Sequence, residues 1–382
     1  MAKDKYFFND SDKIIDAILS DQFDLEKLVK EMNKELYSGA FKWSFSSADL
    51  SKRDLSSVPV EKLMRLPFGN YTIWPSKDKM PKNFEPDKII EDALHFIGSD
   101  VESLHKKGIK GKGTTIAFID MPFNRDHIEL EGADIEYVEF EKGASSHFHG
   151  LVTSSYLVGK NLGVAPESKL IFYAASCGKQ GQNEIQSMIE NEFKAILDVI
   201  GRSRKGEKID IVGQSGSIEY HISMLKDEKK ERYYTEKFNA IKDELKKENI
   251  FYLSSQNFFD MFSYCRKVDP TKNNYDLDNY VNAFSKRNVD SNLPCVIPVG
   301  KLSTIDDTKD GYKYENCAGS ASWSIPLVVG MFALCRQQSK DASFEKFYDI
   351  VRKTAKTNAN GLSLISMESV YKTLSHNKEL LK

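Results

Sequence analysis

The sequence predicts an α/β fold: a mostly parallel sheet with helices on both faces, preceded by a small, mainly helical N-terminal segment. Two observations predict it. Short apolar runs rich in β-branched and aromatic residues recur at 114–119 (TTIAFI), 170–174 (LIFYA), 209–212 (IDIV), 250–253 (IFYL) and 296–299 (VIPV). Between them lie helical stretches at 151–158, 184–200, 220–247 and 322–336. Strands that are apolar throughout, rather than alternating, are buried on both faces, and strands alternating with helices build parallel sheets.

Composition narrows the function classes. The 382 residues carry 54 Lys and Arg against 56 Asp and Glu, a net charge of −2, so no global field draws the chain to nucleic acid or an anionic membrane. The densest charged run, 226–247, mixes both signs and reads as a solvated helix face. No stretch is long and apolar enough to cross a bilayer, and the N-terminus lacks a signal-peptide hydrophobic region. The five cysteines, Cys177, Cys265, Cys295, Cys317 and Cys335, are scattered and form no C-x-x-C pair. This pattern predicts neither a zinc site nor a disulfide framework, and fits a reducing cytoplasm.

The chain divides by pattern. Residues 1–86 form an accessory segment, with a helix expected over 11–37, a Ser-rich stretch at 43–57, and Pro67, Pro75, Pro81 and Pro86 punctuating its end. Residues 87–376 carry the alternating pattern, and 377–382 are a polar tail.

In open α/β sheets, sites gather beyond the carboxyl ends of the strands. That rule selects Asp120, which ends the strand at 114–119. It also selects Gln214-Ser215-Gly216-Ser217 after one strand and Ser254-Ser255-Gln256-Asn257 after another. Ser146-His147-Phe148-His149-Gly150 leads into a helix of small and apolar residues. Gly319-Ser320-Ala321-Ser322-Trp323-Ser324-Ile325-Pro326 opens the helix at 327–334, with Pro326 expected in its first turn. Ser322 then lies at a helix N-terminus, where free N–H groups and the dipole stabilise negative charge.

With these residues in view, the chain resembles the subtilisin-like serine peptidases. Lys106 to Gly113, followed by the strand to Asp120, is similar to that family's approach to its catalytic aspartate. His127-Ile128-Glu129-Leu130 resembles its H-x-x-L, His149-Gly150 its catalytic histidine, and Gly163-Val164-Ala165-Pro166 its G-V-A-P. Ser322, with Pro326, Val328 and Gly330 behind it, falls at the nucleophile, and Asn257 at the oxyanion-hole asparagine. The order Asp, His, Ser is also the family's. The resemblance implies a serine endopeptidase with Asp120, His149 and Ser322 as its triad and Asn257 as oxyanion donor. It further implies that Ser215, Gly216 and Ser217 pair with an extended peptide, beside Ser254, Ser255 and Gln256. A selective intracellular processing role is expected. No cofactor is expected; calcium occurs in the family, but no acidic loop here forms a clear ligand set. Oligomeric state is left open.

The sequence departs from the family's pattern at Met121-Pro122 after Asp120, Gln256 before Asn257, and Ala321 and Trp323 around Ser322. These departures motivate an alternative, a catalytically inactive relative serving as a binding or regulatory module. Taken singly, Ser322 reads first as an ordinary helix N-cap, and His147 rivals His149 as a base, His149 being favoured because Gly150 and the helix follow it. His127 reads as a local cap. A phosphate loop at 108–114 (GIKGKGT) fails, because Thr114 follows Gly113 where the motif needs lysine, and the glycines precede a strand. The N-terminal segment is expected to pack on the main domain as an inhibitory, chaperoning or recruiting element.

Overall fold

The structure, a computed structural model, describes residues 15–16, 18–21, 49–179, 183–283, 293–305, 308–315 and 320–376. Its strands in chain order are β1 (Phe68–Gly69), β2 (Thr115–Asp120), β3 (Ile135–Glu139), β4 (Lys169–Ala174), β5 (Ile211–Gln214), β6 (Phe251–Ser254), β7 (Ser263–Lys267), β8 (Tyr280–Asn282), β9 (Cys295–Val296), β10 (Lys301–Thr304), β11 (Tyr312–Glu315), β12 (Lys356–Thr357) and β13 (Ser363–Leu364). The helices are α1 (Val60–Leu63), α2 (Pro86–Ala93), α3 (Val101–His105), α4 (Phe148–Val158), α5 (Glu184–Arg204), α6 (Ile218–Ser223), α7 (Glu228–Lys247), α8 (Ser255–Met261), α9 (Ala321–Gln338), α10 (Phe344–Thr354) and α11 (Met367–His376).

The central sheet is parallel throughout, in the order β3-β4-β2-β5-β6. Its register aligns Asp120 with Ala174 and Gln214 with Ser254, so the polar strand ends share one rim. Side chains alternate across it as the period of a strand requires. Ile116, Phe118, Leu170, Phe172, Ile211 and Leu253 face a core built with α4, α9, α10 and α11. Ala117, Ile119, Ile171, Tyr173, Val212 and Tyr252 face a second core under α5 and α7. Helices therefore cover both faces, as the sequence predicts.

Three details differ from the sequence reading. The strand expected at 296–299 reduces to β9, which joins a second sheet, β12-β13-β9-β7-β8. The helix expected over 220–247 is two, α6 and α7, broken where Lys226 takes a left-handed φ of 52°. Pro326 lies in the second turn of α9, which begins at Ala321, rather than in its first turn.

The helix expected over 11–37 lies mostly outside the described residues, although Ile15 and Ile18 are buried in the first core. From residue 49 onward the N-terminal segment shares that core through Leu50, Leu55, Leu63, Leu66 and Phe68. Its strand β1 pairs antiparallel with β11, extending a small sheet with β10. Phe68, Trp74 and Phe84 pack edge-to-face, and Phe68 meets the Tyr314 ring at 5.4 Å.

At the start of β10 Lys301 is fully buried, its Nζ donating to the Ile97 carbonyl at 2.9 Å and lying 4.6 Å from the Tyr156 ring. Burial pushes its pKa down to about 7, against the opposing pull of Glu102 and Glu129. Between that value and the unfolded value the denatured chain holds more protons, so this residue makes stability rise as pH rises through that window. Urea unfolding of wild type and Lys301→Met at pH 7 and pH 9 should show the variant's advantage shrinking at the higher pH. A pH-independent difference would contradict the assignment.

Candidate active site

Asp120 closes β2 on the rim of the sheet and is 3% exposed. Its Oδ1 accepts from the Met121 N–H and from His149 Nδ1, each at 2.7 Å, and its Oδ2 accepts from Thr153 Oγ1 at 2.9 Å. Three donors and no acceptor are the surroundings of a carboxylate. His149 and Thr153 lie four residues apart on α4, so one helix face supplies both partners.

That helix can reach the strand end because of Gly150. A Cβ at this position would lie 2.1 Å from the Met121 carbonyl oxygen, so any side chain would push α4 away from Asp120. Pro122 alters the turn after Asp120 yet has a place in it, since its carbonyl accepts from His147 N–H at 2.7 Å.

The two histidines have different partners. His147 is the N-cap of α4, with Nδ1 accepting from the His149 N–H at 3.2 Å. His149 takes Asp120. Because Nδ1 donates to the carboxylate, Nε2 keeps the lone pair. His127 is buried; its Nδ1 accepts from Glu129 N–H at 3.1 Å and its Nε2 donates to the Gly311 carbonyl at 3.0 Å. It caps a short turn, as its sequence position predicts.

Burial opposes charge on His149, but the Asp120 charge and hydrogen bond outweigh it, and the imidazole pKa is raised. The Trp323 ring packs on the imidazole, with centroids 5.1 Å apart and planes 35° apart. Trp323 follows Ser322 directly in the first turn of α9.

Ser322 is the second residue of α9, whose N-cap is Ser320. Its backbone N–H belongs to the first turn and has no intrahelical acceptor. Pro326 lacks the N–H that would bond the Ser322 carbonyl. Ser215 Oγ donates to that carbonyl instead, at 2.9 Å. The Ser322 hydroxyl donates back to the Ser215 carbonyl at 3.4 Å, which is its hydrogen-bond partner in this structure. Gly213 lets α9 lie close on the sheet, since a Cβ there would stand 2.6 Å from the Phe118 ring and 2.9 Å from Val329.

Asn257 is in the first turn of α8. Its Oδ1 accepts from Ser254 N–H and its Nδ2 donates to the Tyr252 carbonyl, both at 2.8 Å. One Nδ2 hydrogen remains for another acceptor. Ser254 caps the same helix, with its Oγ accepting from Gln256 N–H at 3.3 Å, and the Gln256 side chain is exposed. Ser255 N–H donates to the Gly216 carbonyl at 2.9 Å, tying two rim segments together. Ser217 caps α6, with its Oγ accepting from Tyr220 N–H at 3.0 Å. Thr153 and Trp323 are the partners that residue-by-residue reading of the sequence missed; the i, i+4 spacing from His149 was the available signal for Thr153.

No family model matches the chain, and no curated protein matches it either. Solved structures do. A lanthipeptide protease is 15% identical with a TM-score of 0.45, the match covering 75% of this chain and 95% of that one. The PatG macrocyclase domain is 14% identical with a TM-score of 0.47, over 74% of this chain and 98% of that one. Fervidolysin from Fervidobacterium pennivorans, a keratinolytic enzyme related to subtilisin, is 15% identical with a TM-score of 0.48, over 72% and 45%. Among the described residues no helix is long and apolar enough to cross a membrane, and no three His, Cys, Asp or Glu side chains converge as a metal site.

The opposing effects of burial and Asp120 give a signed prediction. Titrated by NMR, His149 in the wild type should have a pKa above the ordinary imidazole value of 6.5. In Asp120→Asn the value should fall below it, because burial then acts without the opposing charge. An unchanged midpoint would contradict the pairing. Separately, Gly150→Ala should lower the thermal midpoint and disturb the His149 resonances, with a stability cost of about 1–3 kcal/mol as for other overpacked contacts.

Proposed function

We propose that the protein is a serine endopeptidase that hydrolyses peptide bonds through an acyl-enzyme, with Asp120, His149 and Ser322 as its triad. The observation that carries this reading is the buried Asp120–His149 hydrogen bond of 2.7 Å, with Trp323, the neighbour of Ser322, packed on the imidazole. Ser322 Oγ attacks the scissile carbonyl while His149 Nε2 takes its proton and later delivers it to the leaving amine. Asp120 holds the tautomer and stabilises the imidazolium. The Ser322 N–H and the remaining Nδ2 hydrogen of Asn257 donate to the developing oxyanion.

The substrate in this reading is an extended peptide lying along Ser215 to Ser217 and beside Ser254 to Gln256. The role in this reading is selective processing rather than bulk digestion, in keeping with the departures from the family's pattern at Gln256, Ala321 and Trp323. Cys177, Cys265, Cys295 and Cys335 are free thiols, which supports a reducing, cytoplasmic setting. No cofactor enters the mechanism.

A second reading, a catalytically inactive binding module, is favoured by one observation. The Ser322 hydroxyl rests on the Ser215 carbonyl at 3.4 Å. Attack then requires a rotation of the serine side chain toward His149, which a substrate displacing that weak bond supplies.

A fluorophosphonate probe separates the two readings. The peptidase reading predicts covalent labelling of the folded wild type at Ser322, none in Ser322→Ala, and labelling slowed about 10⁴-fold in Asp120→Asn. Folded wild-type protein that stays unlabelled would overturn the peptidase reading and leave the binding-module reading standing.

A further inference from the structure

One built polar site borders the proposed substrate groove. Glu192, on α5, is fully buried. Its Oε1 accepts from Ser176 Oγ and from Gln214 Nε2, each at 2.7 Å. Its Oε2 accepts from His221 Nδ1 at 2.9 Å. All three partners donate, and His221 is the one ionisable partner bonded to Glu192 among the described residues. Gln214 is fixed from behind by the Tyr252 hydroxyl, which donates to its Oε1. The carboxylate therefore cannot turn away from the imidazole without breaking a bond to the end of β5.

His221 is locked at one nitrogen only. Its Nε2 has no hydrogen-bond partner among the described residues, and 14% of the side chain reaches solvent. The free edge of the ring looks toward Gly216. A Cβ built there would lie 3.6 Å from Cε1 and 3.8 Å from Nε2, with Gln214 Nε2 next at 3.9 Å. A histidine needed only to satisfy Glu192 has no reason to hold its second nitrogen beside the backbone that receives substrate.

We propose that His221, oriented by Glu192, is a specificity-determining residue that binds an acidic side chain of the peptide lying over Gly216. A substrate carboxylate arriving at Nε2 places the ring between two anions. The imidazolium donates from both nitrogens, one to Glu192 and one to the substrate carboxylate, so the two anions do not face each other uncompensated and both bonds are charge-assisted. A glutamine of the same shape brings no charge, and a lysine brings a like charge to that imidazolium. This assignment rests on the peptidase reading above.

The test uses matched peptides that differ only by Glu, Gln or Lys at each position on the acyl side of the cleaved bond. At one position wild-type kcat/KM should favour Glu over both Gln and Lys about tenfold or more, as expected for a hydrogen bond to a charged group. In His221→Ala the Glu to Gln ratio at that position should fall to about one; being a ratio, it is untouched by a general loss of activity. Should that variant fail to fold, the wild-type ratios decide alone. Flat ratios at every position, a preference for Gln or Lys, or a Glu preference that survives in His221→Ala would overturn the assignment. Fluorophosphonate labelling of the same wild-type preparation separates the two levels. Labelling with flat ratios removes only the role of His221, whereas no labelling removes the peptidase reading and this one with it.

Discussion

A buried carboxylate must be surrounded by donors or it does not stay charged. At Asp120 that requirement organises the cleft. The strand end supplies one donor, the Met121 N–H, and α4 supplies two, His149 Nδ1 and Thr153 Oγ1. Satisfying the aspartate therefore fixes the distance and rotation of α4 on the sheet. Gly150 is the steric condition for that approach. The histidine tautomer follows from the same bond, so the chemistry proposed for Nε2 depends on the folding of β2 against α4.

The second half of the cleft is held by a different device. Pro326 frees the Ser322 carbonyl, and Ser215 fills it, so the start of α9 is pinned to the rim of β5 by the hydroxyl of one serine and the carbonyl of another. At its far end the same helix is anchored by Arg336, whose Nε donates at 2.7 Å to Oδ1 of Asp210, the residue just before β5 at the opposite end of that strand. The helix spans the core from Ser322 to that ion pair. Its position is thus set at both ends, and Trp323 takes the space against His149 that a thinner side chain would leave open.

Much of this was legible in the sequence, for physical reasons that differ by element. The central strands were legible because both faces are buried and their side chains are apolar throughout. Asp120 and Gln214 were legible because polar residues at strand ends in such sheets have nowhere to go but the rim. His149 was distinguishable from His147 only through Gly150, whose role depends on the Met121 carbonyl lying across from it, a tertiary fact. Asn257 and Ser217 were read as cleft residues, and the structure gives their side chains local duties as helix caps first, because polar residues at a rim are also the residues that cap helices. The His221–Glu192 pair carries no sequence signal: 29 residues separate its members, and only the packing of α5 beside α6 brings them together.

The central claim is that protonation of His149, set by Asp120, controls the reactivity of Ser322. The most direct measurement is the rate of Ser322 modification by a fluorophosphonate across pH, set beside the His149 titration followed by NMR in the same buffer. The account predicts a single midpoint for both curves, above the ordinary imidazole value, with reactivity lost as pH falls through it. A modification rate indifferent to the His149 titration would contradict it.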